Sequence, residues 1–270
     1  MSAFSNLLTR LLGFTATVIH GDTFVLDRWL WICRRLPITR NGERLLDVGC
    51  GSGAFTIGGA LRGYEGVGIS WDTRNQSIAA ERADILRAKT ASFDVGDVRE
   101  LGTIDRYRNA FDILLCLECI EHICDDRKLM RDMALCLKPG GRLYLTTPYF
   151  YFPPVSSKCY GPFTKVEDGS HVRRGYTAAM LTELCELAGL QVEDITYCSG
   201  AASRFVTRLF RALMPLGLPV AWLLTLPLRP FPPVLDPIIN RLLRPRQTSI
   251  CLEAYKPRFS SGTDEVTRRN

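Results

Sequence analysis

Two hydrophobic periods alternate along this chain, and the switches between them place most of its elements. Short apolar runs bounded by glycine, proline or charge read as strands over 44–48, 66–70, 92–97, 111–115, 142–147, 191–197 and 248–255. Between them, three-to-four-residue spacing predicts helices over 54–62, 75–89, 126–137 and 177–188, the last closed by Gly189 in a left-handed cap. "KPGG" turns the chain before the fifth strand. Strands joined by helical crossovers imply an α/β fold with a doubly wound, mostly parallel sheet, whose ligands bind at the strands' carboxyl ends.

Two regions break the alternation. Residues 1–40 read as N-terminal cover helices, with Phe24, Leu26, Trp29, Leu30 and Ile32 dense on one side before Pro37. Residues 203–246 form an insert between the last two strands. From Ala212 to Leu228 it carries no charge, and arginines flank it. Pro215, Pro219 and Pro227 argue against one spanning helix and for broken helices lying in a membrane interface. A substrate lid and a dimer contact are the alternatives. The remaining division is a main domain over 41–202 and 247–257 and a flexible tail over 258–270.

Composition changes this picture in two places. The formal charge is +6, and residues 201–270 hold eleven basic against four acidic groups, so the basic excess is C-terminal. Its arginines alternate with leucines rather than stacking aromatics, which speaks against a nucleic-acid partner. Ten scattered cysteines without paired spacing, and an opening that lacks the pattern of a secretory signal, fit a reducing cytoplasm, with membrane association open. Cys116, Cys119 and Cys124 have no common metal spacing, and no metal is expected.

Candidate chemistry begins at "LLDVGCGSGAF". Gly49, Gly51 and Gly53 let the backbone turn tightly and approach a ligand, but do not name it. Asp47, just before the turn, would repel a pyrophosphate and attract a cation such as an α-amino group. It could equally cap the following turn, and the two roles can coexist.

This stretch resembles motif I of the class I S-adenosylmethionine (SAM)-dependent methyltransferases, in the ubiquinone-biosynthesis-like group. "FDILLCLECIEHI" resembles the family's fourth-strand motif, "LKPGGRLYLTTP" its fifth-strand turn, and "GSHVRRGYTAAMLTELCELAGLQV" its late helix and strand. The resemblance spans about 40–255 and implies a seven-stranded, Rossmann-like methyltransferase fold using SAM. It implies that Asp47, Gly49, Cys50, Gly51 and Gly53 hold the amino-acid end, that Asp97 and Val98 face adenine, and that Leu117 and Glu118 line the methionine side. Where the family usually has a ribose-binding acid, this chain has Ser70. Either Ser70 with Gln76 does that work or Asp72 reaches back, although Asp72 could simply cap the next helix.

Methyl transfer needs alignment, a dry cavity and, for a hydroxyl nucleophile, a base. His122, His171, Glu118 and Glu121 are the candidates; each histidine could instead brace its own loop. Arg173 and Arg174 could hold an anion or pair with Glu167 and Asp168. Tyr149, Phe150, Tyr151 and Phe152 suit an apolar, aromatic or sugar acceptor, or a lid packed on itself. The expected reaction is O-methylation of a small-molecule, glycan or lipid-linked acceptor. The alternatives are lipid-alkene methylation of the cyclopropane-synthase kind and a non-catalytic SAM-binding scaffold.

Overall fold

The computed structural model describes residues 2–19, 21–153, 155 and 161–258. Helices α1 (Ser2–Leu12), α2 (Thr15–Ile19) and α3 (Thr23–Cys33) precede the sheet. Then come β1 (Arg44–Val48), α4 (Ala54–Ala60), β2 (Glu65–Ser70), α5 (Thr73–Leu86), β3 (Ala91–Val95), β4 (Phe111–Leu117) and α6 (Asp126–Cys136). β5 (Leu137–Pro148), α7 (Ala178–Leu187) and β6 (Gln191–Cys198) follow; α8 (Ala201–Leu213), α9 (Leu218–Thr225) and α10 (Pro232–Leu243) then lead to β7 (Ser249–Tyr255). The strand order is β3-β2-β1-β4-β5-β7-β6, parallel except for β7, which runs antiparallel to both neighbours. The order reverses between β1 and β4, which creates a crevice outside their carboxyl ends.

Successive strand side chains point to opposite faces, so apolar runs can feed two cores. Leu46, Val48, Leu114, Cys116, Leu143 and Leu145 pack with Met130, Met133, Leu181 and Leu184. Leu45, Leu115, Leu117 and Tyr144 pack on the other face with Trp31, Ile32 and Leu36, the apolar side of the N-terminal cover.

Several boundaries differ from the sequence expectation for local reasons. The helix expected from 75 starts at Thr73, because the Asp72 carboxylate caps it, accepting from the N–H groups of Arg74 (2.9 Å) and Asn75 (3.1 Å). The third strand stops at Val95, and Asp97 caps a short 3-10 turn by accepting from Arg99 N. "KPGG" is an excursion within β5: Leu137 pairs with Phe111, and pairing resumes at Ile113–Arg142. Gly189 has φ +74°, the expected left-handed cap. The tail expected over 258–270 lies outside the described residues from 259 onward.

The helices between β6 and β7 rest on the N-terminal helices. Phe210, Ala221 and Trp222 cluster with Leu8 and Ala16. The Arg229 guanidinium donates to the carbonyls of Ile19 and Gly21, both at 2.6 Å, and Asp236 accepts from the N–H groups of Gly200, Ala202 and Ser203 at the start of α8. Among the described residues no single helix is long and apolar enough to cross a membrane; 218–228 and 232–243 form a pair bent by 58°.

Candidate active site

Two cavities open at the carboxyl edge of the sheet. The first, about 420 Å³, lies over the glycine turn and is lined by Gly49, Gly51, Ser70, Trp71, Asp72, Asn75, Asp97, Val98, Arg99, Glu118, Cys119 and His122, with Glu167 and Gly169 from the long loop after β5. All three turn glycines have positive φ. Their surroundings divide the labour. A Cβ on Gly53 would lie 2.7 Å from Ala79 Cβ and from the Phe93 ring, so this glycine lets α4 pack against α5 and β3. A Cβ on Gly51 would meet nothing within 4 Å, so this backbone is bare toward the cavity.

Asp47 is fully buried and does not line this cavity. Its Oδ2 accepts from the N–H (3.1 Å) and hydroxyl (2.7 Å) of Thr56 in the first turn of α4. Burial pushes its carboxyl up to about 6, against the lowering effect of the two Thr56 bonds. The capping role read from the sequence is therefore present, and among the described residues no ion pair reaches its carboxylate.

Three further expectations are corrected. Gln76 turns inward and donates to the carbonyls of Asp94 (3.1 Å) and Ser70 (3.4 Å), bracing the ends of β2 and β3 rather than facing a ribose. The Cys50 thiol is buried against Gln76 (3.6 Å). Leu117 belongs to the core, because the alternation of β4 sends it below the sheet while Glu118, one residue on, reaches the cavities. Ser70 and Asp72 do line the cavity; Asp72 also accepts from Asn75 Nδ2 at 2.8 Å. Asp97 and Val98 also line it, with Asp97 held below the usual carboxylate range by hydrogen bonds from Arg99. Arg99 also donates to Glu167 at 2.6 Å, which ties the loop to the rim.

The second cavity, about 560 Å³, adjoins the first. Phe24, Pro148, Phe152, Pro162 and Phe163 give it apolar walls; Asp22, Arg28, His171, Arg211, Thr248 and Ser249 supply polar groups. Glu118 lines both cavities. It has φ +56°, forms an ion pair with Arg28 at 3.1 Å, and accepts from Ser249 Oγ at 3.3 Å. Burial works against the charge on Arg28, but Glu118 and then Asp22 outweigh it and raise its pKa. Of the expected aromatic cluster, Phe152 faces this cavity, whereas Tyr149 packs edge-on against Tyr151 and Tyr197.

The two histidine rings meet edge to face, 4.7 Å between centroids, with His122 on the first cavity and His171 on the second. Burial, then His122 and Arg211, lowers the His171 pKa to about 4, so the ring is neutral near neutral pH. Behind them lies Glu121, its Oε1 4.0 Å from His122 Nε2, with Thr147 donating to Oε2 at 3.0 Å. Burial and then the charge of Glu118 push the Glu121 carboxyl well above the carboxylate range. Donor atoms of Glu121, His122 and His171 lie within 4.8 Å of one another, a spacing that could hold a metal ion. Arg173 does not face either cavity; it pairs with Asp126 and donates to the carbonyls of Ile123 and Cys124.

Arg28, Trp71, Asn75, Arg99 and Arg211 escaped the sequence reading. For Arg28 the signal was present: the Asp27–Arg28 pair interrupts the otherwise largely apolar "TFVLDRWLWIC" helix.

Comparison with known proteins bears on this geometry. An O-methyltransferase of ubiquinone biosynthesis from Coxiella burnetii is 29% identical over 163 residues, covering 59% of this chain and 68% of its own length. One from Neisseria meningitidis is 31% identical over 159 residues, covering 57% and 66%. In structure, the chain is similar to Haemonchus contortus phosphoethanolamine N-methyltransferase 2 in complex with SAM (TM-score 0.60, 20% identity, 94% of this chain and 60% of that one). It is also similar to geranyl diphosphate C-methyltransferase from Streptomyces coelicolor (TM-score 0.56, 15% identity, 85% and 75%). Residues 28–195 match the family described as the methyltransferase domain, so this chain belongs to that family and is a SAM-dependent methyltransferase.

Proposed function

We propose that this enzyme methylates a hydroxyl oxygen of a small-molecule, glycan or lipid-linked acceptor held in the larger cavity. The observation that carries the reading is that Glu118 walls both cavities, so cofactor and acceptor would meet beside one residue. The amino-acid end of SAM is a zwitterion, and an ion pair is its complement. Arg28 would take the carboxylate and Glu118 the ammonium, with Gly49 and Gly51 giving close backbone approach and Asp47 contributing its charge from behind the turn. Ser70, Asp72 and Asn75 would serve the ribose, and Asp97 with Val98 the adenine.

The cofactor supplies a methyl group on a sulfonium, a good leaving group. The chain's own task is to align the acceptor, exclude water and take one proton as the acceptor's O–C bond forms. Neutral His171, at the acceptor cavity and exposed to solvent, would accept that proton and release it to water. The apolar walls and the relatives named as ubiquinone O-methyltransferases favour an aromatic hydroxyl; the apolar exterior of the insert favours a lipid-linked acceptor.

The test is turnover with methyl-labelled SAM and 3,4-dihydroxybenzoate, simple alcohols and lipid extracts as acceptors, followed by product analysis. Label on oxygen is expected. Label in an acyl chain, with none on oxygen, refutes the reading; SAM binding with no S-adenosylhomocysteine release across the panel favours the scaffold alternative. The cluster of Glu121, His122 and His171 supports a second reading, in which a divalent cation there lowers the acceptor's pKa. Loss of turnover in chelator, restored by one cation, would select it over a histidine base.

A further inference from the structure

The helices between β6 and β7 are built inside out. Two of their charged side chains, the central Arg229 and Asp236, are buried, at 3% and 7% exposure, against backbone carbonyls and N–H groups. Many of their apolar side chains point outward: Leu216, Leu223, Leu224, Leu242 and Leu243 are more than half exposed, as are Phe231, Val234 and Ile238. From Met214 to Ile238 no exposed residue carries a charge. The adjoining α1, whose Leu8 is buried against Phe210 and Trp222, leaves Leu7, Leu11 and Leu12 exposed. Apolar surface exposed at this density marks a contact with an apolar phase or partner.

We infer that this face docks on a bilayer rich in anionic lipid, with α9 and α10 lying in the interface plane. Three observations favour a membrane over a second copy of the chain. Exposed Arg208, Arg241, Arg244 and Arg246 flank the apolar stretch, and the only acid between Ala201 and Arg246 is the buried Asp236. A two-fold contact would set arginine against arginine, whereas anionic headgroups complement them. The prolines and the 58° bend give a pair of helices suited to lying along a surface. Arg211 of α8 also lines the larger cavity and pairs with Asp22 at 3.1 Å, so the same unit walls the acceptor site. This last link rests on reading that cavity as the acceptor's; the docking itself does not.

The test uses the full chain and two kinds of vesicle, phosphatidylcholine alone and phosphatidylcholine with phosphatidylglycerol, read by co-flotation. The wild type is expected to float with the mixed vesicles and much less with the neutral ones. The exposed triple variant Leu223→Glu, Leu224→Glu, Leu242→Glu should lower partition on the order of a hundredfold with SAM affinity unchanged. Arg241→Gln with Arg244→Gln should abolish only the preference for anionic vesicles. Wild type that stays with neither vesicle, or a triple variant that floats equally, overturns the inference. So does a wild-type dimer that the triple variant splits, since the face would then belong to a second copy. Vesicle binding with no methyl transfer to any acceptor would leave the docking standing and sink the catalytic reading.

Discussion

Asp47→Asn separates stability from function at the glycine turn. The carboxyl is buried, and burial outweighs the two Thr56 bonds and raises its pKa from the ordinary 3.8 to about 6. The folded state therefore holds this proton more tightly than the unfolded state. Its contribution to stability is fully present below about pH 4, erodes as pH rises, and is lost above about pH 6. A shift from 3.8 to about 6 corresponds to a penalty of roughly 3 kcal/mol on the ionised form. Asparagine keeps an oxygen for the Thr56 N–H and hydroxyl but carries no charge. In urea titrations the variant should match wild type at about pH 4 and exceed it by up to about 3 kcal/mol at about pH 8. The difference between the two proteins is the quantity to read, because Asp27 is also raised to about 6 by burial and adds its own slope to both. Calorimetry on the same samples should show SAM binding weakened at about pH 8 by roughly tenfold or more, the charge having been kept for the cofactor's ammonium. A variant less stable than wild type at the higher pH would refute the burial argument; unchanged SAM affinity would refute the electrostatic one and leave Asp47 as a cap alone.

Gly53→Ala should cost about 2–4 kcal/mol of stability, from a left-handed alanine and a Cβ forced against Phe93 and Ala79, while Gly51→Ala should cost about 1–2 kcal/mol and mainly raise the KM for SAM. Equal destabilisation by the two in urea would contradict the division of labour at the turn. Arg28→Met should weaken S-adenosylhomocysteine binding by about 10–100-fold, as loss of one charge-assisted bond does, and Arg28→Lys should recover part of it; an unaltered Kd removes Arg28 from the cofactor site. His171→Ala should lower kcat with cofactor Kd unchanged, and unaltered kcat would exclude the ring from proton transfer.

The sequence disclosed those features that local rules govern. Periodicity and turn residues place the strands, and the glycines at 49, 51 and 53 announce a close backbone approach wherever the chain folds. Side-chain direction was less accessible. Gln76 lies four residues into the helix after β2, beside Asn75, yet one faces inward to Asp94 and the other lines the cavity. Only the roll of α5 against β2 and β3 decides which. Leu117 and Glu118 part company by strand alternation, but which face meets the core and which the cavities is set by what packs on the sheet. Asp47 meets Thr56, nine residues on, because the turn folds α4 back over β1. The insert's lack of charge was plain; that its two central charged residues, Arg229 and Asp236, are the buried ones was not, since their partners are carbonyls and N–H groups from distant elements.

Glu118 draws these threads together. A non-glycine residue at φ +56° costs on the order of 1 kcal/mol and persists where surrounding contacts over-determine it. Here the contacts are identifiable: its N–H bonds Thr146 on β5, while its carboxylate meets Arg28 on α3 and Ser249 on β7. Relaxing the backbone would swing the carboxylate away from the only place where both cavities touch it. The strain thus fixes a charge at the junction, and α3 supplies its counter-charge. The N-terminal cover therefore serves both the second core and the candidate site: removing α3 would strip one wall from that core and take away the Arg28 partner of Glu118.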